Sequence, residues 1–192
     1  MRNLILGAAA SLCLLPGAAS AAVLDLQTDA VTVGVGETFE VRLVVDREMA
    51  DLIGAAVTEL DFTDDTLSFV SGMFMNLGDT TGTEFVGLFD TDTVEAFAET
   101  NDDAATLASL QANEFTLLSL TFEAIGIGRG EVTLNEAFTT LFGPDLFSAL
   151  QTRIADGDVN VLVDVAPVPL PAGALLLVTG LGGLAAARRR AA

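Results

Sequence analysis

The chain has 192 residues, with 27 acidic side chains, eight arginines and no lysine, histidine, tryptophan or tyrosine. Every acid lies between Asp25 and Asp164, where four arginines stand against the 27, so this stretch carries −23 within a formal net charge of −19. Such a polyanion repels nucleic acid and anionic lipid and suits counterions, divalent cations or basic partners. With 51% apolar residues and 12 phenylalanines it is not a disordered acidic tail, and its length is that of one domain with its own core.

The N-terminus reads MRNLILGAAASLCLLPGAASAA. Arg2 is a short positive n-region, Leu4 to Leu15 an apolar h-region, and Pro16-Gly17 a break. Ala19-Ser20-Ala21 then forms a small-x-small cleavage site, with cleavage expected before Ala22. The apolar core is shorter than the ~20 residues of a membrane span, which favours a cleaved secretory signal over an anchor. Cys13, the only cysteine, follows Leu12 within the h-region rather than a small residue at its end, so no lipid anchor is expected. The mature protein would hold no cysteine and no disulfide.

Past Ala22 the pattern becomes that of short strands. In VTVGVGETFEVRLVVD, glycines 34 and 36 mark a turn, after which Phe39, Val41, Leu43 and Val45 alternate with Glu40, Arg42 and Val44. That period of two is a half-buried strand. AAVTELDF repeats it imperfectly with Val57, Leu60 and Phe62; TDDT is a turn, and LSFVSG a strand ended by Gly72. Residues 72–113 are less regular. DDAATLASLQAN favours a short helix capped by Asp102 or Asp103, with Leu107 and Leu110 on one face. EFTLLSLTFEA is apolar on both faces, Phe115 and Leu117 on one and Leu118, Leu120 and Phe122 on the other, which places it centrally in a sheet. GIGRGEVTLN is a glycine turn into a strand, and RIADGDVNVLV a closing strand. Six to nine short strands with little helix predict an all-β antiparallel sandwich. Its core should hold Phe39, Leu43, Phe62, Phe69, Phe115, Leu118, Leu120, Phe122 and Val161.

From Val165 to Ala187 no residue is charged, and Arg188, Arg189 and Arg190 follow. The most apolar part, residues 172–187, would span about 24 Å as a helix, short of a ~30 Å hydrocarbon core. The arginines would stay in the cytoplasm and the body outside. Val168, Pro169, Leu170, Pro171 and Ala172, then the apolar run, then the three arginines, resemble the VPLPA variant of the PEP-CTERM sorting signals of Gram-negative bacteria. That resemblance implies transient membrane insertion, recognition by an exosortase-type membrane protease, and delivery to the cell surface or an exopolysaccharide matrix. The glutamate of the parent PEP motif is replaced by Leu170.

A second resemblance covers most of residues 23–163. VGVGETFEVRLVVD, IGAAVTELDFTDDTLSFVSG, FTLLSLTFEAIGIGRGEVTLNEA and IADGDVNVLV are similar, in that order, to strands of a cohesin-type sandwich. It implies a jelly-roll of about nine strands and a binding or scaffolding role. Cellulosomal cohesins bind dockerins through one sheet face, and no motif here carries that partner over. The organisation is then a signal helix (1–21), a cohesin-like sandwich (22–164) and a sorting tail (165–192), with motif 168–172, apolar helix 173–187 and basic stop 188–190.

The missing side chains argue against catalysis. Without histidine or a mature cysteine there is no Ser-His-Asp or Cys-His device and no His/Cys zinc site; without lysine there is no Schiff base. Carboxylate pairs among Asp61, Asp64, Asp65, Asp90 and Asp92 are what a hydrolase could use, but no tryptophan or tyrosine is present to hold a sugar ring. Asp156, Asp158 and Asn160 open like an EF-hand loop, which Val161 and Pro167 then break. Asp90, Asp92, Asp102 and Asp103 lie in the irregular middle and are the candidate calcium ligands; no other cofactor is expected. The reading is a non-catalytic exported surface or matrix protein with a structural or adhesive role. Its partners are the secretion machinery, the exosortase, and a polysaccharide matrix or another surface protein. Two alternatives stay open: a permanently anchored module binding calcium, a protein or a polysaccharide, and a carboxylate-only hydrolase.

Overall fold

The computed structural model describes residues 21–47, 52–145, 149–150, 152–154 and 160–167. Twelve strands run through them: β1 (Ala22–Gln27), β2 (Thr32–Gly34), β3 (Thr38–Asp46), β4 (Ala55–Phe62), β5 (Leu67–Phe74), β6 (Phe85–Leu88), β7 (Thr93–Glu99), β8 (Glu114–Ala124), β9 (Gly128–Leu134), β10 (Thr140–Phe142), β11 (Thr152–Ile154) and β12 (Asn160–Ala166). Nine of them have four residues or more, and β2, β10 and β11 are three-residue additions. One helix, α1 (Ala104–Leu110), and a 3-10 turn (Glu136–Phe138) complete the described elements. The sheets are five-stranded, in the order β11-β1-β3-β8-β5, and seven-stranded, in the order β2-β12-β9-β4-β7-β6 with β10 also on β4. All pairings are antiparallel except β1 with β11 and β2 with β12. The all-β sandwich with one short helix is thus as the sequence predicts.

The core is where the inward faces of the two sheets meet. Phe39, Val41, Leu43 and Val45 of β3 point inward as their alternation requires. Phe122 of β8 is fully buried. Its ring stacks on Phe39 of β3 with centroids 6.0 Å apart, meets Phe69 of β5 edge-on at 5.9 Å, and crosses to the other sheet to meet Phe62 of β4 at 5.3 Å. Of the predicted core residues only Phe69 is half-buried, at the flank of this group.

Several elements depart from the sequence reading, each for a local reason. In β8 the pairing with β3 slips after Leu43, which faces Leu118 while Val44 faces Thr116. Leu117 is the extra residue of a β-bulge, so Phe115, Leu117 and Leu118 are all buried rather than split between faces. β8 does lie inside its sheet, but its other face is half-exposed Thr116, Ser119, Thr121 and Glu123. In β4 the inward residues are Ala56, Thr58, Leu60 and Phe62, and Val57 points outward; the buried Thr58 hydroxyl is satisfied by that of Thr139 at 3.1 Å. Gly72 does not end β5, which continues to Phe74: a side chain there would come within 2.6 Å of Leu120 and Val86, so glycine lets the two sheet edges close. The closing segment is two strands in different sheets, β11 beside β1 and β12 beside β9, because β12 alone carries the inward Val161, Val163 and Val165. β12 runs to Ala166, past the boundary expected at 164.

The irregular middle contains β6 and β7, a hairpin on the seven-stranded sheet. α1 buries Leu107 alone; Leu110, expected beside it, is 39% exposed. Gln111 follows the helix and is buried. Its amide nitrogen donates to the carbonyls of Ile53 (2.7 Å) and Asn76 (3.2 Å), and its oxygen accepts the Ile53 N–H at 2.9 Å. One side chain thus satisfies a segment that has no strand neighbour.

Phe122→Ala should lower unfolding free energy by about 3–5 kcal/mol in a urea titration, because a ring shared by both sheets leaves a cavity neither can fill. Gln111→Leu keeps the volume but orphans the Ile53 amide and carbonyl, and should cost about 1–3 kcal/mol in the same titration.

Candidate binding face

The expected calcium ligands fall into two separate places. Asp90 and Asp92 sit in the turn joining β6 to β7, where the Asp90 carboxylate accepts the Thr91 N–H at 2.7 Å. The Thr93 hydroxyl donates toward Asp61 (3.0 Å) and Asp92 (3.3 Å). Asp102 and Asp103 lie beyond the other end of β7, whose seven residues separate the pairs by roughly 23 Å at ~3.3 Å per residue. The Asp102 carboxylate accepts the Asp79 N–H at 2.8 Å, and Asp103 caps α1 by accepting the Thr106 N–H at 2.9 Å. Of the two cap candidates, Asp103 therefore takes the role.

Neighbouring acids act in the same way. Glu84 accepts the Phe74 N–H (3.0 Å) and the Thr80 hydroxyl (2.7 Å), and Asp79 accepts both the N–H and the hydroxyl of Thr81. These bonds favour the charged form, so the hydroxyl and amide of Thr81 hold the Asp79 carboxyl below its ordinary value of 3.8, and the Thr106 amide does the same for Asp103. The carboxylates of this region are turned onto backbone amides and hydroxyls. Among the described residues, no group of three or more acids surrounds a point where an ion would sit.

Of the acids considered for hydrolysis, Asp61 lines a shallow cleft of ≈190 Å³ with Phe62, Thr63, Glu131 and Thr133. Asp64 and Asp65 lie exposed in the turn before β5. Val168, Pro169, Leu170, Pro171, Ala172, Arg188, Arg189, Arg190, Ala19, Asp156 and Asp158 lie outside the described residues. Ala21 and Ala22 lie inside them: Ala22 is buried as the first residue of β1, so the expected cleavage bond immediately precedes that strand. Among the described residues no helix is long and apolar enough to cross a membrane.

The two outer sheet faces differ in kind. On the five-stranded sheet, Thr38, Glu40, Arg42, Ser119 and Thr121 face outward, with Ser119 donating to Glu40 (2.7 Å) and Arg42 paired with Asp29 (2.9 Å). At these positions the face is polar, and Glu40 and Arg42 find partners within the chain. On the seven-stranded sheet, Val57 of β4, Phe97 of β7 and Phe85 of β6 stand opposite one another across three strands. Phe97 is 37% exposed and Phe85 51%. Phe85 lies along its own strand over Gly87, where an added Cβ would come within 3.0 Å of the ring. Carboxylates occupy the outward positions on both sides of this row: Glu59 opposite Glu95 on one, and Glu99, opposite Ala55, on the other. Sequence reading missed this face because β6 and β7 were not recognised, so Phe85 and Phe97 had no common register. The signal was present as the alternation TVEAFAE.

No protein-family model and no curated protein matches the chain. Solved structures do match, and they are cohesin modules. The sixth cohesin of Acetivibrio cellulolyticus scaffoldin B, solved in complex with a Cel5 dockerin mutant, is similar with TM-score 0.57 at 13% identity, over 74% of this chain and 99% of that one. The seventh ScaB type I cohesin of Pseudobacteroides cellulosolvens gives 0.58 at 13% identity, over 79% and 96%. The cohesin module of a Clostridium perfringens family 33 glycoside hydrolase gives 0.57 at 10%, over 76% and 98%. The described body therefore has the cohesin fold, and at these identities the likeness is one of fold.

Asp103→Ala should lower the urea midpoint at neutral pH by removing the cap of α1. Because folding depresses this carboxyl, its contribution is complete above the ordinary value of 3.8 and disappears as pH falls through the lower folded value. The gap between wild type and variant should therefore close in the same titration repeated in acid.

Proposed function

We propose that the chain is an exported, non-catalytic binding module with a structural or adhesive role. Its C-terminal handle is cut by an exosortase-type protease, which leaves the sandwich on the cell surface or in the exopolysaccharide matrix. The observation that carries the binding role is the outward row Val57–Phe97–Phe85, whose two phenylalanines are exposed, an apolar strip on the outer face of the seven-stranded sheet. Solvent-exposed aromatics held in register by three strands suit docking, since their rotamers are restricted before any partner arrives. The similar scaffoldin B cohesin was solved holding a dockerin, which supports a protein partner here. The signal-like N-terminus and the VPLPA–apolar–arginine order of residues 168–190 support export and sorting.

Mass spectrometry of the native protein reads the processing at its C-terminus. It should begin near Ala22 and lack Arg188 to Ala192. An intact Ala192 would contradict sorting and favour a retained membrane anchor. Deleting residues 168–192 should release the protein into the medium, and surface retention of that truncated chain would also contradict the handle.

A further inference from the structure

We infer that the partner on the outer face of the seven-stranded sheet is a cationic protein segment, with an apolar side chain seated on Phe97 and Phe85 and lysine or arginine beside it. This rests on the docking reading above and names the partner's chemistry. Glu59 and Glu95 stand directly opposite on neighbouring strands, an arrangement of like charges that works against the sheet. Glu59 accepts a hydrogen bond from Asn135 at 2.8 Å, whereas the side chains of Glu95 and Glu99 have no hydrogen-bond or ion-pair partner among the described residues. The one basic residue among the outward positions of this sheet is Arg129, which faces Asp164 on β12, two strands away from Glu95. The chain holds no lysine to supply the missing charge.

An apolar strip edged by uncompensated carboxylates is complementary to a segment with the opposite pattern. A second copy of this chain does not fit, because an isologous contact would set Glu59, Glu95 and Glu99 against their own kind. The same field opposes nucleic acid and acidic polysaccharide. The outer face of the five-stranded sheet carries no aromatic row, and there Glu40 and Arg42 are matched within the chain.

The test uses the processed chain purified from its host and three sets of short synthetic peptides. Each peptide has one leucine or phenylalanine flanked by lysine, by glutamine or by glutamate. The lysine set should bind at least about tenfold more tightly than the glutamine set at low salt, and lose that advantage between about 0.05 and about 0.5 M salt. Phe97→Ser should abolish binding with its thermal melt unchanged. The near-isosteric pair Glu59→Gln with Glu95→Gln should erase the lysine preference while sparing the glutamine peptides.

Equal binding of lysine and glutamine peptides through Phe97 would overturn the cationic partner and leave the docking face standing. Binding indifferent to Phe97→Ser, or no binding by any peptide, would overturn both. A dimer in sedimentation that Phe97→Ser dissolves, or retention of a neutral polysaccharide in place of the peptides, would assign the face to another occupant and overturn the inference.

Discussion

The packing of the two sheets against each other turns on one ring. Phe122 touches Phe39 and Phe69 in its own sheet and Phe62 in the other, so it fixes the spacing of the two sheets and the lateral order of three strands at once. Edge-on and offset ring pairs of this kind contribute beyond the area they bury. With no tryptophan, tyrosine or disulfide available to the folded body, such phenylalanine contacts and the valine and leucine faces around them are what hold a chain of net charge −19 together. The outward position of Phe97 follows from the same core: β4 is oriented by the inward Phe62 and Leu60, and β7 pairs with β4 residue by residue.

Strands with strict alternation were legible in the sequence. Phe39 through Val45 alternate without interruption, and the structure buries the residues that the period selects. What alternation cannot show is a bulge. In β8 the extra Leu117 changes which residues share a face, so a strand that reads as apolar on both sides is a one-sided strand with a slip in it. The unpaired Val70 does the same in β5. The two-way division of residues 152–166 was hidden for another reason: β11 is three residues long, too short for any period to register.

The site was less legible than the fold. Acid clusters in an acidic chain look alike from sequence, and only the hydrogen bonds show that Asp102, Asp103, Asp79 and Glu84 each accept a backbone amide. The apolar row is a product of three strands meeting in register, and two of them lay in the stretch without a clear pattern. Val57 was grouped with Leu60 and Phe62 in an imperfect alternation because it is apolar; its neighbours Ala56 and Thr58 are small and ambiguous, yet they are the buried ones. A contiguous apolar row facing outward is the informative kind of exception, where a single exposed hydrophobic residue is not.

That this face meets a partner where the protein resides is tested most directly by photo-crosslinking on intact cells, with a photoreactive side chain introduced at position 97 on the seven-stranded sheet or at position 121 on the opposite face. The adduct should form outside the cell, from position 97 and not from 121, and the cross-linked peptide should carry lysine or arginine beside its apolar contact. Adducts from 121 alone, or an equal and unselective yield from both positions, would contradict it.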